Sequence, residues 1–398
     1  MNQPSSEGAA TETQSGALFL MAMLALGTVA PTVFWGLPVI VGQIAQQWVF
    51  GAAELGIAVL GEVFGMAAGT LLMATVLARR PLRITLAATI ALTAAANFAT
   101  PCAHSLPLFI AVRAVAGIGA GALSGIAMSC LSYTKAAERN IGWLVLLQVL
   151  WSMALLGYVL PVVGAMAQAT GTYVCIGVLA LVFLPAIALF KRAEAFVSAE
   201  ADNSARVDVR GVMLLLGCIF ALYFGVGVLW TFLEQIGMRA GLSEARVATT
   251  LVYANLASLA ACVVMPRLGQ GNGLRRWAIV NIGACVASAA ALTLPQTPDR
   301  FAIAAIVFIV AWTGAATLIF ATMPRVDTVG RYATLSPGVL SLGFGIGSAA
   351  GGELIELLDA RAAVGLACVF CYVSLLCYAS LGRAREAEQD ALARASQS

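Results

Sequence analysis

Long apolar runs separated by short polar loops make up most of the chain. A membrane-spanning α-helix needs roughly 17–25 predominantly apolar residues, and each of these runs reaches that length. The pattern therefore predicts an all-α membrane protein with twelve transmembrane helices. The helices are expected near residues 16–42, 51–77, 84–102, 106–131, 142–166, 172–190, 211–235, 245–267, 277–295, 301–323, 334–356 and 362–382.

The polar segments divide the apolar runs into two halves of six. The first polar segment has acidic residues and no basic one, which is unlike a signal peptide, so we expect it to remain as a tail. The predicted parts are a cytoplasmic tail at 1–15, a six-helix bundle at 16–190, a cytoplasmic linker at 191–210, a second six-helix bundle at 211–382 and a cytoplasmic tail at 383–398.

Composition and charge support this interpretation and give it an orientation. Hydrophobic residues make up 61% of the chain and charged residues only 10%, against about 25% charged residues in a typical soluble domain. With the N-terminus inside, 17 of the 22 lysines and arginines fall on the inner side and 4 on the outer side. Basic residues concentrate in cytoplasmic loops. We therefore expect a multi-pass protein of the bacterial inner membrane with both termini cytoplasmic.

Arg113 is the one basic residue inside an apolar run, which extends from about Leu106 to Leu131. A guanidinium at membrane depth is costly and is usually retained because it pairs with a partner or takes part in movement. It lies about 10 Å inside the run by helical rise. The alternative that its side chain extends to the lipid headgroups therefore stays open. Gly117, Gly119 and Gly121 follow it and allow a neighbouring helix to approach closely.

Glu62 is the most deeply placed carboxyl group, roughly 16 Å from the outer end of its predicted helix. Its depth is close to that of Arg113. We expect the two side chains to approach each other, with Arg113 and a proton competing for the same carboxylate. A static ion pair that only joins two helices is the open alternative.

Other side chains could line a cavity or a gate. Glu234 falls at the outer end of the seventh predicted helix, where it could gate the protein or simply face the membrane interface. Aromatic and amide side chains near the middle of their helices could surround a ring-bearing or amphipathic ligand, or could pack against other helices and lipid. These residues are Trp151, Tyr223, Tyr253, Asn255 and Trp312.

The sequence offers little for cofactor, metal or nucleotide chemistry. It has no G-x-x-x-x-G-K-[ST] phosphate loop, and we expect no cofactor and no nucleic-acid partner. Cys368 and Cys371 have CxxC spacing but lie in an apolar run, far from the only histidine, His104. We expect both thiols to be inert and no metal to be bound.

Together these features resemble the major facilitator superfamily. The resemblance is carried by the six-plus-six layout and by the fourth-helix pattern R-x-x-x-G-x-G-x-G, which spans Arg113–Gly121. Part of the fifth-helix antiporter motif G-x-x-x-G-P-x-x-G-G is also present, with Pro161 and Gly164 in register and Gly157 one position after the first glycine of the motif. The resemblance implies two six-helix bundles around a substrate site, and a packing or gating role for these glycines and the proline.

The chain departs from the family pattern at several positions. Leu160 and Ala165 replace two glycines of the antiporter motif, and the first helix lacks the acidic residue of many drug–proton antiporters. In the loop after the second helix, Ala78 and Pro81 replace the aspartate and a glycine of the family's G-x-x-x-D-R-x-G-R motif. The cytoplasmic gate that this aspartate helps to form in relatives is therefore in question.

The resemblance implies a secondary active transporter rather than an enzyme. The sparse polar inventory of the predicted helices favours a small apolar or amphipathic organic substrate over a sugar, and the partial antiporter motif favours proton-coupled export. The expected partners are the substrate, protons and the lipid bilayer, with the protein as a monomer. Two alternatives stay open: a proton-coupled uptake symporter for an aromatic acid or siderophore-like compound, and a non-transporting sensor or scaffold.

Overall fold

The computed structural model describes residues 6–48, 50–75, 81–132, 137–189, 208–269, 273–327 and 336–395. All regular secondary structure in these ranges is helical, as the sequence predicts. Before the central linker the helices are α1 Ser6–Val29, α2 Thr32–Trp48, α3 Ala52–Thr75, α4 Leu82–Ala99, α5 Leu106–Ser132, α6 Ala137–Ala154 and α7 Leu160–Val182. After it they are α8 Val209–Arg239, α9 Glu244–Leu268, α10 Gly273–Thr293, α11 Pro298–Val326, α12 Ser336–Leu357 and α13 Ala360–Ala395.

The first predicted helix is broken in the middle, which the sequence analysis did not foresee. α1 ends at Val29 and α2 begins at Thr32, with a turn at Ala30 and Pro31 between them. Proline has no backbone N–H and interrupts the hydrogen bonding of a helix. The hydroxyl of Thr32 donates to the carbonyl of Val29 across the break. The predicted span 16–42 was also too short, because the apolar segment extends to Trp48.

The fifth and sixth predicted helices form one continuous stretch with a kink. Its apolar part, Gly142–Val182, has 41 residues, about twice what one crossing needs. The backbone departs from helical geometry at Ala167 and Gln168, and Gln168 has φ +48°. This stretch therefore supplies two crossings. It counts as one of the eleven continuous candidate spans of the described residues, so these eleven spans correspond to the twelve predicted helices.

A π-helical turn, Leu155–Val159, joins α6 to α7 just before Pro161. Pro161 cannot donate a hydrogen bond to the carbonyl of Gly157, four residues earlier, and its ring would clash with that carbonyl in a regular helix. The wider π turn accommodates the proline. Pro161 of the partial antiporter motif thus coincides with a local irregularity, and Gly157 lies within it.

The ends of two predicted helices are corrected by the structure. The sixth was expected to run to residue 190, but α7 ends at Val182 and a 3₁₀ turn, Leu184–Leu189, follows. The twelfth was expected to end at 382, but α13 continues to Ala395 into the segment predicted as a tail. Residues 190–207, which hold most of the predicted linker, lie outside the described part of the chain.

The chain divides into two compact units. The first unit comprises Met1–Gly36 and Phe64–Ala199, and the second comprises Leu37–Val63 and Glu200–Ser398. The core of the first unit is an apolar cluster from α1, α3, α4, α5 and α6 that includes Met23, Leu26, Leu86, Ile126 and Leu144. In the second unit α8 is the central helix, since nearly every residue from Gly211 to Gly237 is buried or half-buried.

Glycines allow helices in the first unit to approach backbone to backbone. A Cβ added to Gly69 on α3 would collide with the carbonyl of Ile118 on α5, and one added to Gly121 would collide with the carbonyl of Met66. A Cβ at Gly119 would meet Thr93 on α4. Gly119 and Gly121 of the fourth-helix motif therefore serve packing against two neighbours, as small residues do in membrane helices.

The first turn of α3 is completed by a carboxylate from a distant part of the second unit. Glu54 accepts a hydrogen bond from the amide of Gly51, 2.9 Å away. Glu356, at the end of α12, accepts one from the amide of Ala53 at 3.0 Å. The first amides of a helix have no partner within the helix, so α12 satisfies a group that α3 itself leaves unpaired.

Replacing Gly121 by alanine is expected to destabilise the protein by about 1–3 kcal/mol, because the added methyl group meets rigid backbone. The matched control is Gly283→Ala in α10, where no atom lies within 4 Å of the added Cβ. Thermal unfolding of the two purified variants measures the difference. Equal melting temperatures for the two variants would contradict the packing role.

Candidate functional site

Arg113 is buried in the first unit among polar and aromatic groups. Only 1% of its surface is exposed. Its Nη1 donates to Oδ1 of Asn97 and to Oγ1 of Thr100, both at 3.1 Å. The guanidinium carbon lies 4.3 Å from the ring centre of Tyr173, within the range of a cation–π interaction. The side chain is thus held inside the helix assembly and does not extend along the surface.

Local hydrogen bonds orient the two acceptors of Arg113. The side-chain amide of Asn97 donates through Nδ2 to the carbonyl of Thr93, which directs its oxygen away from its own helix. The hydroxyl of Thr100 donates to the carbonyl of Ala96 and keeps its lone pairs for Arg113. Neither residue was predicted from the sequence, although polar side chains at the end of an apolar run are a usable signal.

Glu62 lies on α3 and is buried, with 7% of its surface exposed. It belongs to the second unit and Arg113 to the first. Their predicted approach stays a prediction. What the structure adds is that both ionisable side chains are shielded from the surface, which is the condition under which charge in a membrane helix is costly.

Glu234 is a buried carboxyl group of the second unit. The sequence placed it at the membrane interface, but only 5% of its surface is exposed. Its Oε2 has no hydrogen-bond partner among the described residues. Its Oε1 faces α2, where a Cβ added to Gly42 would lie only 2.7 Å away. The absence of a side chain at Gly42 therefore provides the space that the carboxyl group occupies.

Three aromatic side chains cluster in the unit that also contains Glu234. Tyr223 and Trp312 meet edge to face, with ring centres 6.2 Å apart. Trp230, which the sequence analysis did not single out, lies 5.7 Å from Trp312. All three are buried. Tyr223 and Trp312 thus pack against each other, in an arrangement favourable for aromatic rings.

The remaining predicted cavity residues differ in their surroundings. Trp151 is half-buried and donates through Nε1 to the hydroxyl of Thr32 at the helix break, at 3.0 Å. Asn255 is buried and donates to the carbonyl of Leu251 in its own helix. Tyr253, two positions away, has 59% of its surface exposed. The structure therefore places Trp151 beside a discontinuous helix, a position that sequence spacing alone does not reveal.

Both thiols of the CxxC pair, Cys368 and Cys371, are free. The Sγ of Cys368 lies 3.7 Å from the carbonyl oxygen of Val286. In the part of the chain that the structure describes, no three side chains of His, Cys, Asp or Glu come together in a group that could hold a metal ion.

The fold is similar to that of a solved transporter. A crystal structure of a mutant of the nucleoside transporter NupG superposes with a TM-score of 0.74, covering 91% of this chain and 99% of that chain at 12% sequence identity. In all, 297 chains of solved structures match, so the likeness concerns a widespread fold and not a substrate. No protein with a curated description matches the sequence significantly.

A family model extends this likeness to the sequence itself. The model of the Major Facilitator Superfamily matches residues 18–326, which is most of the chain. The helical architecture, the eleven candidate spans and the kinked 41-residue stretch agree with that fold. The chain belongs to the Major Facilitator Superfamily of membrane transporters.

Proposed function

We propose that this transporter uses a proton gradient across the bacterial inner membrane to export a small apolar or amphipathic organic compound. The observation that carries the proposal is the buried carboxyl group of Glu234. A carboxylate oxygen in a membrane helix without a hydrogen-bond donor is costly as an anion, and binding a proton removes the charge. A group of this kind can take up a proton in one conformation and release it in another.

Glu62 and Arg113 are proposed as the second part of the coupling device. Glu62 and Arg113 are both buried, and Arg113 donates to the side chains of Asn97 and Thr100. A carboxylate attracts a guanidinium only while it is ionised, so a proton that binds Glu62 would weaken its attraction for Arg113. Movement of Arg113 relative to its partners would then follow the protonation state.

The proposed substrate class follows from the polar inventory of the membrane segments. Most buried hydroxyl groups on α4 and α9 are bonded to carbonyls of their own helix, as in Thr89, Thr93 and Ser258. Few polar groups are left to replace the water around a hydrophilic molecule. Trp151 is half-buried and Tyr253 is exposed, and aromatic side chains of this kind suit a flat ligand. Nucleosides belong in the test panel, because NupG, which has a similar fold, is a nucleoside transporter.

Glu234→Gln is expected to reduce proton-driven transport to background while substrate exchange without a gradient persists, since glutamine keeps the shape but cannot release a proton. Glu353→Gln is the matched control, because Glu353 lies exposed near the end of α12. Proton-driven uptake into inverted vesicles and counterflow in proteoliposomes measure the two activities. Full proton-driven transport by Glu234→Gln would remove Glu234 from the coupling mechanism.

The direction of transport is tested on the unmodified protein. Inverted vesicles carrying an acidic lumen are exposed to a panel of apolar, amphipathic and aromatic-acid compounds and nucleosides. Antiport predicts that an added substrate releases protons from the lumen, because substrate and proton exchange places. Movement of substrate and proton together would favour the uptake symporter instead, and no movement with any compound would favour a sensor or scaffold.

We further infer that both termini are cytoplasmic and that the protein acts as a monomer. The support for the orientation is the 17-to-4 distribution of basic residues. In a background without native cysteines, Arg300→Cys is expected to react with an impermeant thiol reagent from outside, and Arg325→Cys only after the membrane is opened. Labelling of position 325 from outside would reverse the orientation.

A further inference from the structure

A cavity of about 440 Å³ lies within the second unit, where the ends of α8 and α10 meet the start of α13. Three of its apolar lining residues have little solvent-exposed surface, namely Ile236, Leu292 and Val364. Charged lining residues at the same cavity are exposed, namely Arg239, Asp359 and Arg361. The cavity thus has a buried apolar part and a charged opening. We call it the arginine cavity.

Positive charge gathers at this cavity. Arg239 and Arg361 have neither an ion pair nor a hydrogen bond with the residues that the structure describes. A third guanidinium, that of Arg300, donates to the carbonyl of Pro295, which lines the cavity, at 3.5 Å. Of the four arginines that the charge distribution assigns to the outer side, two therefore line the cavity and a third contacts a lining residue.

The acidic groups nearby do not cancel this charge. Asp359 is the acidic residue among the lining residues, and its Oδ1 accepts a hydrogen bond from the amide of Ala362 at 2.8 Å. It therefore completes the first turn of α13. Asp299 lies in the first turn of α11, next to Arg300. Guanidinium groups outnumber carboxylates, so the cavity attracts an anion.

Gln296 adds a hydrogen-bond acceptor of fixed orientation. Its Nε2 donates to the carbonyls of Ala291 and Leu294, at 2.8 and 2.7 Å. These two bonds hold the amide in place. Its Oε1 is buried and has no hydrogen-bond donor in the described residues. A buried carbonyl oxygen without a donor is unfavourable, and a hydroxyl group of a ligand would satisfy it.

We propose that the arginine cavity binds a glycerol phosphate group. The guanidinium groups of Arg239 and Arg361 bind the phosphate, because arginine matches phosphate geometry with paired donors. A glycerol hydroxyl donates to Oε1 of Gln296, and the buried apolar residues receive the hydrocarbon adjoining the headgroup. The group has two possible sources, a phosphatidylglycerol lipid of the surrounding leaflet or a free glycerol phosphate.

The experiment uses the whole transporter in nanodiscs of phosphatidylcholine alone or of phosphatidylcholine and phosphatidylglycerol in equal parts. Phosphatidylglycerol is expected to raise the melting temperature and to remain bound in native mass spectrometry. Arg239→Gln/Arg361→Gln is expected to weaken binding about tenfold or more, because two charge-assisted contacts are lost. The control is Arg246→Gln, the fourth outer arginine, which does not line the cavity.

The two sources give different results on the same protein. If the ligand is a lipid headgroup, phosphatidylglycerol raises the melting temperature and sn-glycerol 3-phosphate added to phosphatidylcholine nanodiscs does not. If the ligand is free, the soluble compound alone raises it. In both cases the double arginine variant loses the effect while melting like the unmodified protein in phosphatidylcholine.

Gln296→Leu provides an independent test of the hydroxyl contact. It is expected to remove the preference for phosphatidylglycerol over phosphatidic acid, which has the phosphate but no headgroup glycerol. The proposal is overturned if neither ligand raises the melting temperature, or if the double arginine variant responds to phosphatidylglycerol as fully as Arg246→Gln does. None of these readouts depends on transport, so they are separate from the test of proton coupling.

Discussion

The close approach of α5 to its neighbours is the constraint on which the first unit depends. Apolar side chains gain little from contact with one another when the solvent is lipid, so helices associate through packing and polar contacts. Gly69 and Gly121 bring α5 against α3, and Gly119 brings it against Thr93 of α4. That spacing is what allows Arg113 to reach Asn97 and Thr100 at 3.1 Å. Bulkier side chains along this face would separate the helices and leave the guanidinium without these acceptors.

Buried polar groups fall into two classes, and the difference bears on function. Most are satisfied locally, such as Thr93 and Asn255, which donate to carbonyls of their own helices. These bonds persist whatever a neighbouring helix does. Glu234 is different, because its Oε2 has no partner in the described residues and its environment is set by Gly42 on another helix. A group whose surroundings depend on a second helix is sensitive to conformational change, which a transporter requires.

Sequence reasoning predicted what depends on composition and missed what depends on contacts. The twelve crossings follow from run length, and the spacing of the glycines after Arg113 is typical of closely packed membrane helices. The break at Ala30 and Pro31 was missed because the chain stays apolar on both sides of the proline, so that the two helices were predicted as one run. The hydrogen bond from Trp151 to Thr32 joins residues 119 positions apart, and no spacing rule connects them. Glu234 was placed at the interface by its position near the end of a run, whereas its burial results from helices distant in sequence.

The contact between Glu356 and the amide of Ala53 has a consequence for how the protein is made. The two residues are 303 positions apart, and a chain is synthesised at about 5–20 residues per second. The ribosome therefore needs roughly 15–60 s between them. During that interval the amide of Ala53, in the first turn of α3, must donate to water or lipid headgroups in place of Glu356. α3, the second predicted crossing, therefore obtains this hydrogen bond only after α12, the eleventh predicted crossing, has been inserted.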